Sequence, residues 1–240
     1  MKINQLAIDN RAAPRSFTVT ALETGTRIDL YDVIDDYYGV SATAFVNALN
    51  SVKDGDIALH INSPGGDVFA ARAMVAAIAA HPSNITAHID GLAASAASYV
   101  AIACDSVVMQ EGSMMMVHRA SAIVWGNSDN MIEMADLLDK IDGTIAADYV
   151  RKTGKTSDEM LALMTAETWM TADEALEYGF ADSIAKNEKG KAKNTWNLGV
   201  FTNVPKELVE TEETNNEPAP EAGFLMSAAN ANKLKLIQAL

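Results

Sequence analysis

Apolar runs of strand length alternate with stretches of helix length through the middle of the chain, and few folds accommodate that order. "DIALHINS" (56–63) reads as a buried strand and is stopped by Pro64-Gly65-Gly66. A helix over roughly 68–80 follows, with Asp67 placed to cap it. "NITAHID" (84–90) is a second strand, Gly91 a turn, and 93–103 a helix of very small residues. "SVVMQ" (106–110) and "MMMVH" (114–118) are further strands. Upstream, "RIDLYDVI" (27–34) is a strand, and "SATAFVNALNSV" (41–52) is a helix with Ser41 as N-cap and Phe45, Leu49 and Val52 on one face. Alternation of this kind predicts βαβ units and a largely parallel sheet, an α/β fold.

Downstream, residues 128–154 form a long helix pattern ending at Gly154. Its apolar positions, among them Met131, Ile132, Leu137, Ile141 and Ile145, make a stripe too wide for one buried side. Burial on more than one side is expected, either by the core or by a neighbouring subunit. Two shorter helices follow, 157–164 and 171–179, the second with Thr171 as N-cap and Gly179 as its stop. Residues 1–26 read as a loose arm or short edge strands. After about Ile184 the composition turns lysine-rich and then Glu- and Pro-rich, so 186–240 reads as a disordered linker and tail, with a short helix at its end.

The formal net charge of −14 disfavours nucleic acid as a partner. One cysteine, Cys104, excludes an intrachain disulfide and fits a reducing cytoplasm. No apolar leader is visible, and no run reaches the ~18 uninterrupted apolar residues of a membrane span. A soluble, cytoplasmic protein is expected.

Three features carry chemistry. The Pro-Gly-Gly turn of "INSPGGD" (61–67) can aim backbone N–H groups into a cleft, although alone it is an ordinary strand-to-helix turn. In "GLAASAAS" (91–98), Ser95 falls in the first turn of the small-residue helix, where free N–H groups favour developing negative charge. By composition alone, Ser95 and Ser98 read equally as small residues bonded to carbonyls. The stretch is not a G-x-S-x-G elbow. His118 ends a strand and opens a loop, a place suited to a general base. His60 and His88 lie inside strands and His81 at a helix end, so they read as structural. No spacing suggests a metal site or a phosphate loop.

Taken together, "INSPGGD", "GLAASAAS", "MMMVH" and "ETWMTADEALEYGFADSI" resemble the ClpP family of serine peptidases over about residues 27–184. The resemblance implies the ClpP/crotonase-like fold, with stacked right-handed ββα units and a projecting handle helix at 128–154. The peptidase domain would span 27–185, between the 1–26 arm and the 186–240 tail. The resemblance implies Ser95 as nucleophile, His118 as general base, and the amides of Gly66 and Ala96 as the oxyanion hole. Glu167 aligns where the main family usually has Asp as the third triad member, with Asp173 as the alternative. No metal or organic cofactor is implied. The partners implied are a polypeptide substrate and a homo-oligomeric ring.

Ala96 stands where the housekeeping enzymes usually carry Met, the region before the core does not resemble their N-terminal axial segment, and the Glu-rich tail is extra. These departures, with "YYGVSATAFVNAL" and "ETWMTADEA", resemble the phage-encoded ClpP-like head maturation proteases, which implies capsid or scaffold protein as substrate and leaves docking to a Clp ATPase open. Three other readings stay in view: an ATP-dependent Clp proteolytic subunit degrading unfolded proteins, an inactive ClpP-like scaffold, and a crotonase-type acyl-CoA enzyme.

Overall fold

The computed structural model describes residues 2–186 and 195–209. Eight strands form one sheet: β1 (Ser16–Leu22), β2 (Gly25–Tyr31), β3 (Asp56–Ser63), β4 (Ile85–Ala94), β5 (Ser106–Gln110), β6 (Met114–Val117), β7 (Thr168–Thr171) and β8 (Ser183–Ala185). The order β1-β2-β3-β4-β5-β8 is parallel apart from β1, which runs antiparallel to β2 at the edge. β6 pairs in parallel with the end of β4 and carries β7 antiparallel on its other side. This mixed α/β architecture agrees with the ClpP-like fold expected from the sequence.

Alternation explains the buried face. Along β3, Ile57, Leu59, Ile61 and Ser63 point inward, and Ile85, Ala87 and Ile89 of β4 continue the layer. Against it pack α2 (Ala42–Ser51), through Phe45 and Leu49, and α3 (Val68–Ala80), through Ala70, Ala71, Met74 and Ile78. Each fully buried large side chain contributes about 1.5–3 kcal/mol. The caps expected from sequence are present: Ser41 accepts from Ala44 N–H at 3.0 Å, and Asp67 accepts from Ala70 N–H at 2.7 Å.

Two boundaries next to Ser95 differ from expectation. Gly91 does not turn the chain. β4 runs through it to Ala94, with a register shift opposite Ile61 and Ser63, and a Cβ at Gly91 would meet Asn62 Oδ1 at 2.8 Å. The small-residue helix therefore shrinks to α4 (Ala96–Ala101), and Ser95 precedes it rather than lying in its first turn. Pairing of Leu92, Ala93 and Ala94 with β6 keeps those residues extended, a tertiary constraint invisible in a run of alanines.

His60 and His88 sit side by side on the other face of the sheet, their rings stacked at 4.7 Å, with His60 Nδ1 2.7 Å from Asp90. His81 caps α3, and its Nε2 lies 3.1 Å from Leu49 O.

The long helix α5 (Ser128–Thr153) ends on a left-handed Gly154. Only its second half is buried, through Ile141, Asp142, Ile145, Ala146 and Tyr149, while Met131, Ile132 and Leu137 stay exposed. It is followed by α6 (Ser157–Thr165) and α7 (Ala172–Tyr178), the latter capped by Thr171 and Gly179. No described helix is long and apolar enough to cross a membrane.

The segments read as arm and tail contain more structure than their composition suggests. The arm holds the helix α1 (Lys2–Asp9) as well as β1. Within the expected linker, residues 195–209 pack on the body: Trp196 and Leu198 are buried, and this described stretch closes with a short turn of helix, α8 (Lys206–Val209). The short terminal helix expected from sequence lies outside the described residues.

Candidate active site

The site forms where β4 and β6 end together. Leu92, Ala93 and Ala94 pair with Met114, Met115 and Met116, so the residues that follow each strand emerge at the same edge. Ser95 donates its N–H to Met116 O at 2.9 Å, and its Oγ lies 2.7 Å from His118 Nε2. Ser95 has φ 55° and ψ −124°. Such a conformation costs a non-glycine residue roughly 1–3 kcal/mol and persists only where its surroundings fix it. Here the Met116 carbonyl holds one side, while the Ser95 carbonyl accepts from Ser98 N–H, Tyr99 N–H and Ser98 Oγ on the other.

Ser98 is thus a support, as the structural alternative for the small-residue run has it. Its proton goes to Ser95 O at 2.7 Å, so the Tyr149 hydroxyl, 3.0 Å away, donates to Ser98 Oγ. Burial pushes the Tyr149 phenol far above its ordinary range, which keeps it protonated for that bond.

The Pro-Gly-Gly turn is seated directly on this elbow. Gly65 has φ 88°, and a Cβ there would meet Ala94 O at 2.4 Å and Ala96 N at 2.9 Å. Gly66 has φ 148° and lies so close to Ile34 that a Cβ would fall 2.0 Å from its carbonyl oxygen. The Ile34 N–H donates to Gly65 O, and Asp67 N–H donates to Ile34 O. In that bridge the Gly66 N–H faces the other way. Among the described residues, no acceptor takes the N–H of Gly66 or of Ala96, and both residues line the cleft that holds Ser95 and His118. Val68, Tyr99, Ile145 and Tyr149 give the same cleft an apolar wall. A hydroxyl hydrogen-bonded to an imidazole, beside two N–H groups with no acceptor among the described residues, is an arrangement suited to attack on a carbonyl.

The loop after His118 is tied to α5 by residues that carried no sequence signal. Asp142, buried, accepts from Ala120 N–H at 2.7 Å and from Arg119 Nε at 2.6 Å, while Arg119 also reaches Asp139. Asp142→Ala is expected to lower stability by about 2 kcal/mol in urea denaturation, chiefly through the stranded Ala120 N–H.

Glu167 lines the cleft too, on a backbone with φ 51°. Its carboxylate does not hydrogen-bond His118 in this structure. Oε1 accepts instead from the N–H of Thr202 at 2.7 Å and of Asn203 at 2.6 Å, with Trp169 Nε1 at 3.5 Å. Asp173 sits exposed in the first turn of α7. Sequence reasoning missed Val200, Phe201, Thr202 and Asn203 altogether. The apolar residues of "WNLGVF" (196–201) within a polar stretch were the one available signal. Among the described residues, no group of three or more His, Cys, Asp or Glu is arranged to hold a metal ion.

Residues 12–188 match the family described as Clp protease. The chain belongs to the Clp protease family. Of its curated relatives, the ATP-dependent Clp protease proteolytic subunit of Bacteroides fragilis is 30% identical over 182 residues, covering 71% of this chain and 86% of that relative. The protein of the same name from Streptococcus gordonii is 30% identical over 162 residues, covering 62% and 76%. ATP-dependent Clp protease proteolytic subunit 2 of Rhodococcus jostii is 31% identical over 131 residues, covering 54% and 67%. The Clp protease match takes in Gly66, Ser95, Ala96, His118 and Glu167 and leaves residues 195–209 outside.

Proposed function

We propose that this chain is a serine endopeptidase in which Ser95 attacks the scissile carbonyl and His118 takes its proton. The observation that carries the reading is the 2.7 Å approach of Ser95 Oγ to His118 Nε2, beside the N–H groups of Gly66 and Ala96. Neutral His118 accepts the Ser95 proton at Nε2 and returns it to the leaving amine, while the two amides hold the tetrahedral oxyanion. Water then releases the acyl group by the same route in reverse.

Glu167 is the third member in this reading. Its carboxylate favours the imidazolium by charge from within the same cleft. Glu167→Ala is expected to lower kcat by about 100-fold with the fold retained by circular dichroism and a modest fall in melting temperature, since two amide bonds to the carboxylate are lost. Unchanged turnover would pass the role to Asp173 or to water.

Assembly into a homo-oligomeric ring is part of the proposal. It is supported by the exposed apolar residues Met131, Ile132 and Leu137 on the free half of α5, which a second copy would cover. Enclosed sites restrict substrates to flexible polypeptide segments. Capsid or scaffold protein is the substrate we favour, supported by Ala96 next to the nucleophile and by the Glu-rich tail. The names of the curated relatives favour a second reading, a proteolytic subunit working with a Clp ATPase.

A fluorophosphonate probe tests the core claim. Wild type should be labelled at Ser95, and Ser95→Ala should not. Absence of labelling in assembled wild type would leave an inactive scaffold, and tight binding of a CoA thioester would turn the reading toward acyl-CoA chemistry. Casein degradation with and without ATP and an added Clp ATPase separates the two peptidase roles.

A further inference from the structure

Two segments outside the 12–188 match, α1 and residues 195–209, meet beside the catalytic cleft. Trp196 and Leu198 are buried with Leu6 and Ala7 of α1 and with Leu92 and Ala94 of β4. Asn10 and Asn197 clasp each other: Asn197 N–H donates to Asn10 Oδ1 at 2.6 Å, and Asn10 Nδ2 donates to Asn197 O at 2.9 Å. The Trp196 indole donates to Asn62 Oδ1 at 3.1 Å. Apolar burial and directional bonds together fix where the chain goes next.

It goes past the catalytic residues. Val200 and Phe201 line the cleft with Ser95 and His118. The Phe201 ring stands edge-on to His118, centroids 5.5 Å apart, and to Trp169 at 5.7 Å. The next two amides, of Thr202 and Asn203, both donate to Glu167 Oε1, and Asn203 Nδ2 donates to Ala166 O at 2.8 Å.

We propose that residues 201–203 are positioning residues of the peptidase site, Phe201 setting the ring of His118 and the Thr202–Asn203 amide pair setting the carboxylate of Glu167. The proposal rests on the peptidase reading above. Glu has one more rotatable bond than the Asp usual in the main family, so its carboxylate needs an added restraint to keep one orientation. Two charge-assisted amide bonds on one oxygen supply it and leave the other oxygen out of those bonds. The bond from Asn203 to Ala166 O braces the turn that carries the positive φ of Glu167. An aromatic edge against the imidazole limits its rotation and keeps water from one side. In this chain, residues beyond the shared peptidase domain complete the site.

Titratable groups line the cleft with His118 from several elements, and of them Ser95 bonds its ring directly. Ser95 comes from the end of β4, Tyr99 from α4, Tyr149 from α5 and Glu167 from the turn before β7. Arg119 is adjacent in sequence, but its guanidinium is turned to Asp139 and Asp142. Removing the Phe201 ring changes none of these groups. It admits water to the imidazole and so favours the charged form.

The test uses the full chain with Phe201→Ala, Phe201→Leu and Thr202→Pro. Phe201→Ala is expected to lower kcat for a peptide ester by about tenfold to 100-fold at unchanged KM. It should also move the acidic limb of the kcat/KM profile upward, and Phe201→Leu should restore most of both. Thr202→Pro, which deletes one amide donor, should lower kcat and add nothing further when combined with Glu167→Ala. In the Ser95→Ala background, the His118 ring followed by NMR should titrate at higher pH once Phe201 is Ala. That readout needs no activity. A labelled wild type whose His118 titration and kcat do not respond to Phe201→Ala overturns this proposal alone. A rise in turnover also overturns it, since the segment would then obstruct the cleft. A wild type that no fluorophosphonate labels sinks the parent reading and is told apart by that result.

Discussion

Ser95→Ala and His118→Ala are each expected to lower kcat by about 10⁴- to 10⁶-fold, and the double variant to fall no further than either single one. In the proposed mechanism the two groups act as a unit. Without the imidazole, the Ser95 hydroxyl is a weak nucleophile at neutral pH; without the hydroxyl, the base has nothing to activate. Neither substitution should disturb the fold. Ser95 is held by its backbone, through Met116 O on one side and through Ser98 and Tyr99 on the other, and none of those bonds uses Oγ. Peptide hydrolysis under saturating substrate, with circular dichroism on the same samples, checks both halves. An active His118→Ala chain would move the base elsewhere.

Gly66→Ala is expected to lower kcat by about 10³-fold and to destabilise the chain as well. An added Cβ would fall 2.0 Å from the Ile34 carbonyl oxygen, which is backbone and cannot swing away. The turn must therefore shift, and it carries one of the two N–H groups that the proposed mechanism assigns to the oxyanion. Gly65 cannot absorb the movement, because it is wedged against Ala94, Ser95 and Ala96. Kinetics at a temperature well below the melting point of the variant separate the two effects. A fall in stability with normal turnover would show that the Gly66 amide takes no part in the chemistry.

Much of the scaffold was legible because it is local. Ser41, Asp67, Gly154, Thr171 and Gly179 each mark a helix end by a bond or a backbone conformation within a few residues. The course of β4 through Gly91 to Ala94 was not legible. Alanines suit a buried helix and a buried strand alike, and only the pairing with β6 decides between them.

The candidate site divides along the same line. Gly66, Ser95, Ala96, His118 and Glu167 all line one cleft, and they stood out in the sequence by the order of their motifs, not by composition. The partners of Glu167 are backbone amides, which carry no residue-specific mark. Asp142 read as one more acidic residue on a long helix, since nothing local says that its carboxylate meets the loop after His118.

Ser95 and His118 follow two strands that are laddered together, Ala94 opposite Met116, so the gap between hydroxyl and imidazole is metered by hydrogen-bonded backbone. The exposed connection at Glu111 and Gly112 has no share in that measurement. It is therefore a natural splice point for a reporter or affinity peptide, whereas a single-residue slip within β6 would carry the imidazole to the opposite surface of the sheet.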